Sequence, residues 1–120
     1  MARRLALSGR KVAMLARREA ELRAMAGSIN DAIGKEHAFP FVHDAANLEE
    51  AEALFARIEE EVGEVSELFY VAGVMPEVAP DEFDLDKDRQ QVEVNMLGCI
   101  AWGNAAARRF LERKAGRIVG

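Results

Sequence analysis

The stretch Glu-Leu-Phe-Tyr-Val-Ala-Gly-Val-Met, residues 67–75, decides the fold. It is a continuous apolar run with β-branched and aromatic members between a charged segment and a loop with two prolines, which is typical of a strand buried on both faces of a parallel sheet. Ligands bind at the carboxyl ends of such strands. The step from Ala72 to Gly73 is therefore the first candidate site, although a glycine there can also serve turn geometry alone.

Strands and helices alternate on both sides of this stretch. Met1 to Leu7 has the composition of the end of a helix, and Ser8-Gly9 terminates it. Further strands are predicted at 11–15, 38–43 and 117–120, and further helices at 19–34, 48–62 and 84–114. Pro40 favours an edge position for strand 38–43. The alternation predicts an α/β fold with parallel strands and helices on both faces.

Periodic apolar residues predict which side of each helix is buried. Helix 19–34 has an apolar stripe of Leu22, Met25, Ile29 and Ile33. Asn47 and Glu50 form a predicted capping box at the start of helix 48–62, whose stripe is Leu48, Ala51, Leu54, Phe55, Ile58 and Val62. The acidic residues on its other side are predicted to form a solvated face: Glu49, Glu52, Glu59 and Glu60.

Length, charge and cysteine content exclude several classes of protein and favour a single-domain protein of the cytoplasm. A chain of 120 residues, half of them apolar, is long enough for one domain with one core. Its net charge of -5 argues against nucleic acid as a partner. The single cysteine cannot form an internal disulfide, and no apolar run approaches the length of a membrane span. These features predict a cytoplasmic protein that does not associate with membranes.

Five motifs follow one another at a characteristic spacing over nearly the whole chain. They are Lys-Val-Ala-Met-Leu-Ala-Arg-Arg at 11–18, Asp44, Ala-Gly at 72–73, Val-Asn-Met-Leu-Gly at 94–98 and Gly-Arg-Ile-Val at 116–119. With them the chain resembles the cofactor half of a short-chain dehydrogenase/reductase. The resemblance implies a Rossmann-type fold, a doubly wound parallel sheet that binds NAD or NADP and supports hydride transfer with alcohol and carbonyl substrates.

The residues after strand 11–15 bear on the choice of cofactor. A fold that prefers NAD places a carboxylate near the ribose hydroxyls, whereas a 2'-phosphate is repelled by an acid and needs a cation. Here Ala16 takes the place of the acid, and Arg17 and Arg18 follow. Guanidinium groups suit phosphate oxygens, so NADP is favoured over NAD. The alternative is a pair of solvated arginines at a helix start, where the helix dipole disfavours them.

Other cofactor contacts come from the resemblance. Asp44 matches the acid that binds the adenine amino group in relatives, and Ala45 beside it supplies backbone contacts. Asp44 can equally serve as a helix-entry carboxylate. Ala72 and Gly73 imply further backbone contacts to the cofactor.

Asn95 is the candidate catalytic residue. Its neighbours are apolar, so we expect a buried amide that needs hydrogen-bond partners. In relatives such an asparagine bends its helix and holds a water of the proton relay. A structural polar residue is the alternative, and Gly98 would also suit a simple bend. The resemblance further implies a homo-oligomer formed through the long helix 84–114.

The chain also departs from the family pattern. Tyr70-Val71 replaces an Asn-Asn pair, and the first strand with its glycine-rich turn and the catalytic Ser and Tyr-x-x-x-Lys residues have no counterpart in residues 1–120. We therefore expect a single incomplete dinucleotide-binding domain over 1–120, truncated at both ends and inactive on its own. In the family strand order the absent strand lies between strands 11–15 and 67–75.

Two alternatives belong to other functional classes. A non-catalytic α/β binding or dimerisation remnant stays open. A receiver-like signalling domain ranks lower, because Arg17 and Arg18 have the wrong charge to hold Mg²⁺. No metal site is predicted, since His37 and His43 have no third ligand at metal spacing. Cys99 is interpreted as a small apolar residue of the long helix rather than a nucleophile.

Overall fold

A computed structural model of the protein describes residues 2–71 and 83–119. The helices and strands in these ranges are α1 (Ala2–Leu7), β1 (Val12–Ala16), α2 (Glu19–Ile33), β2 (Ala38–Val42), α3 (Glu50–Glu61), β3 (Glu67–Phe69), α4 (Leu85–Gln91), a π-helical segment (Val92–Leu97), α5 (Gly98–Arg113) and β4 (Arg117–Val119). This order confirms the predicted α/β alternation. Within the described ranges, no helix is long and apolar enough to cross a membrane.

The four strands pair in parallel as two separate two-stranded sheets. Strand β1 pairs with β2, and β3 pairs with β4. Parallel pairing confirms the expectation from the sequence, and Pro40 lies in β2, which has β1 as its one partner among the described strands. The chain divides into two compact units, Met1–Asp44 and Ala45–Gly120. The single domain over 1–120 stays a prediction.

Helix α2 covers the β1–β2 sheet in the first unit. Its buried residues are Leu22, Ala26 and Ile29, which follow one another at spacings of four and three residues and therefore lie on one face. Met25 was predicted to share this face but is 55% exposed, because it lies about 100° around the helix from Ala26. The helix ends as predicted at Gly34, which has a left-handed φ of 78°.

An asparagine that the sequence analysis did not single out ties helix α2 to strand β2. The Asn30 side-chain amide donates to the Ala38 carbonyl at 3.0 Å, and its oxygen accepts from the His37 and Ala38 N–H groups at 2.9 and 2.8 Å. Three hydrogen bonds from one side chain fix the start of β2 on the end of α2. In the sequence, Asn30 is recognisable only as a polar residue near the end of a helix, which does not predict these hydrogen bonds.

Helices α3 and α5 form the core of the second unit. The predicted stripe of α3 is confirmed for four residues, Ala51, Leu54, Phe55 and Ile58, which are buried. Leu48 and Val62 lie outside α3 and are half-buried. The Phe55 ring lies 6.2 Å from that of Trp102, centroid to centroid, in a tilted arrangement. On α5 the residues Trp102, Ala105 and Ala106 are buried as well. Small alanines on α5 let the two helices approach closely around the two aromatic rings.

Part of the acidic side of α3 is paired rather than solvated, which corrects the sequence prediction for Glu52 and Glu59. Glu59 accepts from Arg113 at 2.6 Å and from Arg109 at 3.2 Å, and Glu52 contacts Arg109 at 3.0 Å. Burial alone would raise the pKa of Glu59, but the Val65 N–H and both guanidinium groups act in the other direction, so the net pKa is lowered. These arginines are about 50 residues away in sequence, so helical periodicity gave no sign of them.

Strand β3 is shorter and less buried than predicted. The strand covers residues 67–69, and the Tyr70 N–H extends its ladder by one step with a 2.8 Å hydrogen bond to the Val119 carbonyl. The side chains of residues 67–69 are half-buried instead of buried on both faces. The physical reason is that β3 has a single partner strand, β4, among the described residues, so one edge of its ladder is unpaired. Residues 72–75 of the predicted strand lie outside the described residues.

The ends of the later helices correct one prediction and confirm another. Helix α3 begins at Glu50 with Glu49 as its cap, so the predicted capping box is wrong; the Asn47 amide instead donates to the Glu50 carboxylate at 3.0 Å. The long helix 84–114 is confirmed as the continuous run of α4, the π-helical segment and α5. Its cap is Asp84, whose carboxylate accepts from the Asp86 N–H at 2.9 Å.

Candidate functional site

The carboxyl ends of β1 and β2 bring three predicted site residues to the same edge of the first sheet. Ala16, the last residue of β1, lies opposite Val42, the last residue of β2. The His43 N–H donates to the Ala16 carbonyl at 3.0 Å and extends the ladder by one step. Arg17, Arg18 and Asp44 follow directly on these strands, so they all lie at the edge where parallel sheets bind ligands.

Both arginines at this edge are exposed and available to an anion. Arg18 occupies the N-cap position of α2 without a side-chain cap, and its guanidinium lies 3.5 Å from Glu21. The two side chains of that pair are 73% and 72% exposed, so the ion pair contributes little and is easily exchanged. The amino end of α2 points at the same edge and adds the positive end of a helix dipole.

The sequence predicts His43 to be an ordinary solvated or satisfied histidine. In the structure it is buried, at the carboxyl edge of the first sheet. Among the described residues, His43 is the one polar or charged residue that is buried, with 6% exposure. It lies between Val42 and Asp44 in the sequence. Its burial anchors the backbone immediately before Asp44, which itself is exposed.

In the ranges 2–71 and 83–119, no group of three His, Cys, Asp or Glu residues could hold a metal ion.

The remaining predicted site residues belong to the second unit or lie outside the described part. Ala45 is half-buried, and its carbonyl oxygen lies 3.0 Å from the position that a Cβ on Gly98 would occupy. Ala72 and Gly73 lie outside the described residues. The structure thus places Ala45 beside the long helix, and Arg17, Arg18 and Asp44 in the first unit.

Asn95 lies in the π-helical segment and is exposed, which corrects the prediction of a buried amide. The reason is its position on the helix surface. Val94 and Gly98 are buried and face the interior of the unit, and Asn95 projects about 100° away from Val94. Among the apolar neighbours that suggested burial, Val94 is buried, but Val92 at 47% and Met96 at 58% are themselves exposed.

Tyr70 is a contact residue that the sequence analysis recorded only as a departure. Its phenol, just beyond β3, donates to the Val94 carbonyl at 2.5 Å, and its oxygen lies against Gly98. Burial raises the pKa of the Tyr70 phenol above its ordinary value, and the nearby Cys99 adds to the increase. The tyrosine therefore joins the end of β3 to the residue that precedes Asn95.

Among the solved structures that resemble the fold over 98% of this chain are two dehydrogenases solved with a nicotinamide cofactor. A gluconate 5-dehydrogenase from Burkholderia cenocepacia J2315, in complex with NADP and tartrate, is 28% identical with a TM-score of 0.84. An NAD-bound xylitol dehydrogenase is 25% identical with a TM-score of 0.87. The chain covers 45% of each of these proteins. The similarity confirms the predicted Rossmann-type fold with parallel strands.

Sequence comparison leads to the same family. A short chain dehydrogenase of the fungus Pseudocercospora fijiensis (strain CIRAD86) is 30% identical over 116 residues, which are 95% of this chain and 37% of the fungal protein. The chain thus spans less than half the length of these three relatives. The family model described as short chain dehydrogenase matches residues 1–120. The protein belongs to the short chain dehydrogenase family.

Proposed function

We propose that residues 1–120 form the cofactor-binding part of an oxidoreductase that uses NADP to transfer a hydride to or from an alcohol or carbonyl substrate. The observation that carries the choice of NADP is the pair Arg17 and Arg18 at the carboxyl edge of β1, where Ala16 leaves no carboxylate at the strand end. NAD is the less favoured cofactor. When bound, the nicotinamide supplies or accepts the hydride.

The charges at this edge suit a 2'-phosphate better than a pair of ribose hydroxyls. A guanidinium group presents several N–H donors in a planar fork that matches phosphate oxygens. Arg17 and Arg18 are exposed, and the guanidinium of Arg18 makes a weak contact with Glu21 at 3.5 Å. A bound phosphate would therefore replace a weak ion pair with stronger charge-assisted hydrogen bonds.

The other proposed roles follow the family pattern. Asp44 would accept a hydrogen bond from the adenine amino group, and Ala45, Ala72 and Gly73 would contact the cofactor through their backbones. Asn95 would hold a water of the proton relay. Exposure of Asp44 and Asn95 leaves both side chains accessible to a ligand or to water.

The solved relatives support nicotinamide dinucleotide binding without deciding between its two forms. The gluconate 5-dehydrogenase was solved with NADP, and the xylitol dehydrogenase with NAD. The arginines of this chain are the reason for choosing NADP. Neither the comparisons nor the described geometry supports the receiver-like alternative or the non-catalytic remnant.

A homo-oligomer formed through the long helix is also proposed. Several apolar residues of that helix are exposed, and these are Leu85, Val92, Met96, Leu97, Ile100 and Leu111. An apolar helix face of this kind is typical of an interface between subunits. A cytoplasmic location stays a prediction from composition alone.

The Arg17→Ala variant tests the proposed cofactor. Loss of one or two charge-assisted hydrogen bonds, worth roughly 1.5 to 3 kcal/mol, should weaken NADPH binding about 10- to 100-fold. NADH binding should change little, because NADH has no 2'-phosphate. Calorimetric titration of each cofactor measures both affinities.

Lys35→Ala is the matched control for this variant. Lys35 is exposed, carries the same charge and lies before β2, at the amino end of the strand. It should leave both affinities unchanged. Equal binding of NADH and NADPH to the unmodified chain, or unchanged NADPH binding by Arg17→Ala, would show that the cofactor assignment is wrong.

A further inference from the structure

The π-helical segment before α5 changes the backbone hydrogen bonding next to Asn95. In an α-helix the Gly98 N–H would donate to the Val94 carbonyl, four residues earlier. Here it donates to the Glu93 carbonyl, five residues earlier. The Val94 carbonyl therefore loses its regular α-helical donor at a buried position.

The Tyr70 phenol supplies a donor to this carbonyl. Its O–H donates to the Val94 oxygen at 2.5 Å, and Tyr70 and Val94 are 24 residues apart in sequence. A buried carbonyl without a partner costs free energy comparable to that of a lost hydrogen bond. The long-range hydrogen bond thus compensates for the register change at Gly98 and favours the π-helical over the α-helical backbone.

Gly98 provides the space for this contact. A Cβ at position 98 would clash with the Tyr70 hydroxyl oxygen and would lie 3.0 Å from the Ala45 carbonyl. The backbone of Gly98 has ordinary helical angles, so the glycine is needed for close approach and not for an unusual conformation. Tyr70 and Gly98 therefore fit each other as a pair.

We infer that Tyr70 is a positioning residue that holds Asn95 in place through the π-helical segment. The Val94 carbonyl belongs to the same peptide group as the Asn95 nitrogen. The hydrogen bond from the phenol therefore fixes the orientation of the peptide plane that leads into Asn95. This inference rests on the role proposed above for Asn95. The π-helical turn contains one residue more than an α-helical turn. Reversion of the segment to an α-helix would therefore shift the register by one residue and turn Asn95 by about 100° relative to α5.

The phenol gives the test a spectroscopic signature, because Tyr70 is the only tyrosine in the chain. Its neutral form donates to Val94, and ionisation removes the donor. The raised pKa of Tyr70 means that the contact persists below pH about 10 and is lost as the pH rises through the folded-state pKa. Cys99 is the titratable side chain that acts on Tyr70, so the titration is carried out on Cys99→Ala as well.

The experiment follows phenolate absorbance and backbone amide NMR signals of the 120-residue chain during an alkaline titration, without cofactor. We expect the Asn95 and Gly98 amide signals to shift with the same midpoint as the phenolate absorbance, in the unmodified chain and in Cys99→Ala. Tyr70→Phe should show the shifted signals already at neutral pH and no transition. Gly98→Ala should shift the same two signals, because its methyl group displaces the phenol.

Three results would overturn the inference. They are Asn95 signals that do not move with the phenolate, a Tyr70→Phe spectrum that matches the unmodified chain around Asn95, and a transition that disappears in Cys99→Ala. Lys11→Ala, an exposed change in the first unit, should leave the Asn95 and Gly98 signals in place. Failure of NADPH to bind would contradict the proposed function but would leave this titration unaffected, so the two failures are distinguishable.

Discussion

Replacing Phe55 by alanine is expected to lower the free energy of unfolding by about 3 to 5 kcal/mol. Phe55 is 2% exposed, contacts Trp102 and lies under the Arg109 guanidinium, whose carbon is 4.6 Å from the ring centroid. The substitution leaves a cavity and removes an aromatic pair and a cation–π contact. Since domains have a total stability of about 5 to 15 kcal/mol, the second unit should become marginal.

Urea unfolding followed by Trp102 fluorescence measures this loss, because the chain has one tryptophan and it is the neighbour of Phe55. Glu60→Ala on α3 is the control. Glu60 is exposed and belongs to no proposed interface, so its truncation should change stability by no more than about 0.5 kcal/mol. Equal losses for the two variants would contradict the packing described for α3 and α5.

The 120-residue chain is expected to transfer no hydride above background, whichever cofactor is added. General acid–base catalysis contributes roughly 100- to 10,000-fold and needs a positioned group of suitable pKa. The one tyrosine, Tyr70, donates to the Val94 carbonyl, and no lysine follows it four residues later. Asn95 alone cannot exchange a proton with a substrate oxygen near neutral pH.

An assay of NADPH oxidation with a panel of ketones measures this activity. The gluconate 5-dehydrogenase of Burkholderia cenocepacia, assayed with its own substrate, shows that the conditions support hydride transfer. Turnover by the 120-residue chain that scales with protein concentration and disappears in Asn95→Ala would contradict the expectation. It would mean that another group in residues 1–120 serves as the acid.

The sequence predicted those parts of the fold that are determined by interactions between residues close together in the chain. Gly34 ends α2 because a left-handed residue suits glycine, and this can be recognised without tertiary information. The edge that carries Arg17, Arg18 and Asp44 was predictable too, since parallel strands place their carboxyl ends together and each residue directly follows a strand.

The errors concern contacts between distant parts of the chain. Glu59 has the spacing of a solvated helix face, but its partners Arg109 and Arg113 lie on another helix. Asn95 has apolar neighbours in sequence, yet the π-helical segment and the buried side of Val94 and Gly98 leave it exposed. Helical periodicity cannot show a π-helical register or a tyrosine that donates across 24 residues.

A titration of the chain with NADP⁺, followed by backbone amide NMR, tests directly whether the carboxyl edge of β1 and β2 binds the cofactor. We expect the largest shifts at Arg17, Arg18 and Asp44, and smaller shifts at the same concentration of NAD⁺. Residues 35–37, before the amino end of β2, should not respond. Shifts confined to residues 35–37, an equal response to NAD⁺, or no shift at all would contradict the proposal that the carboxyl edge of β1 and β2 binds the 2'-phosphate.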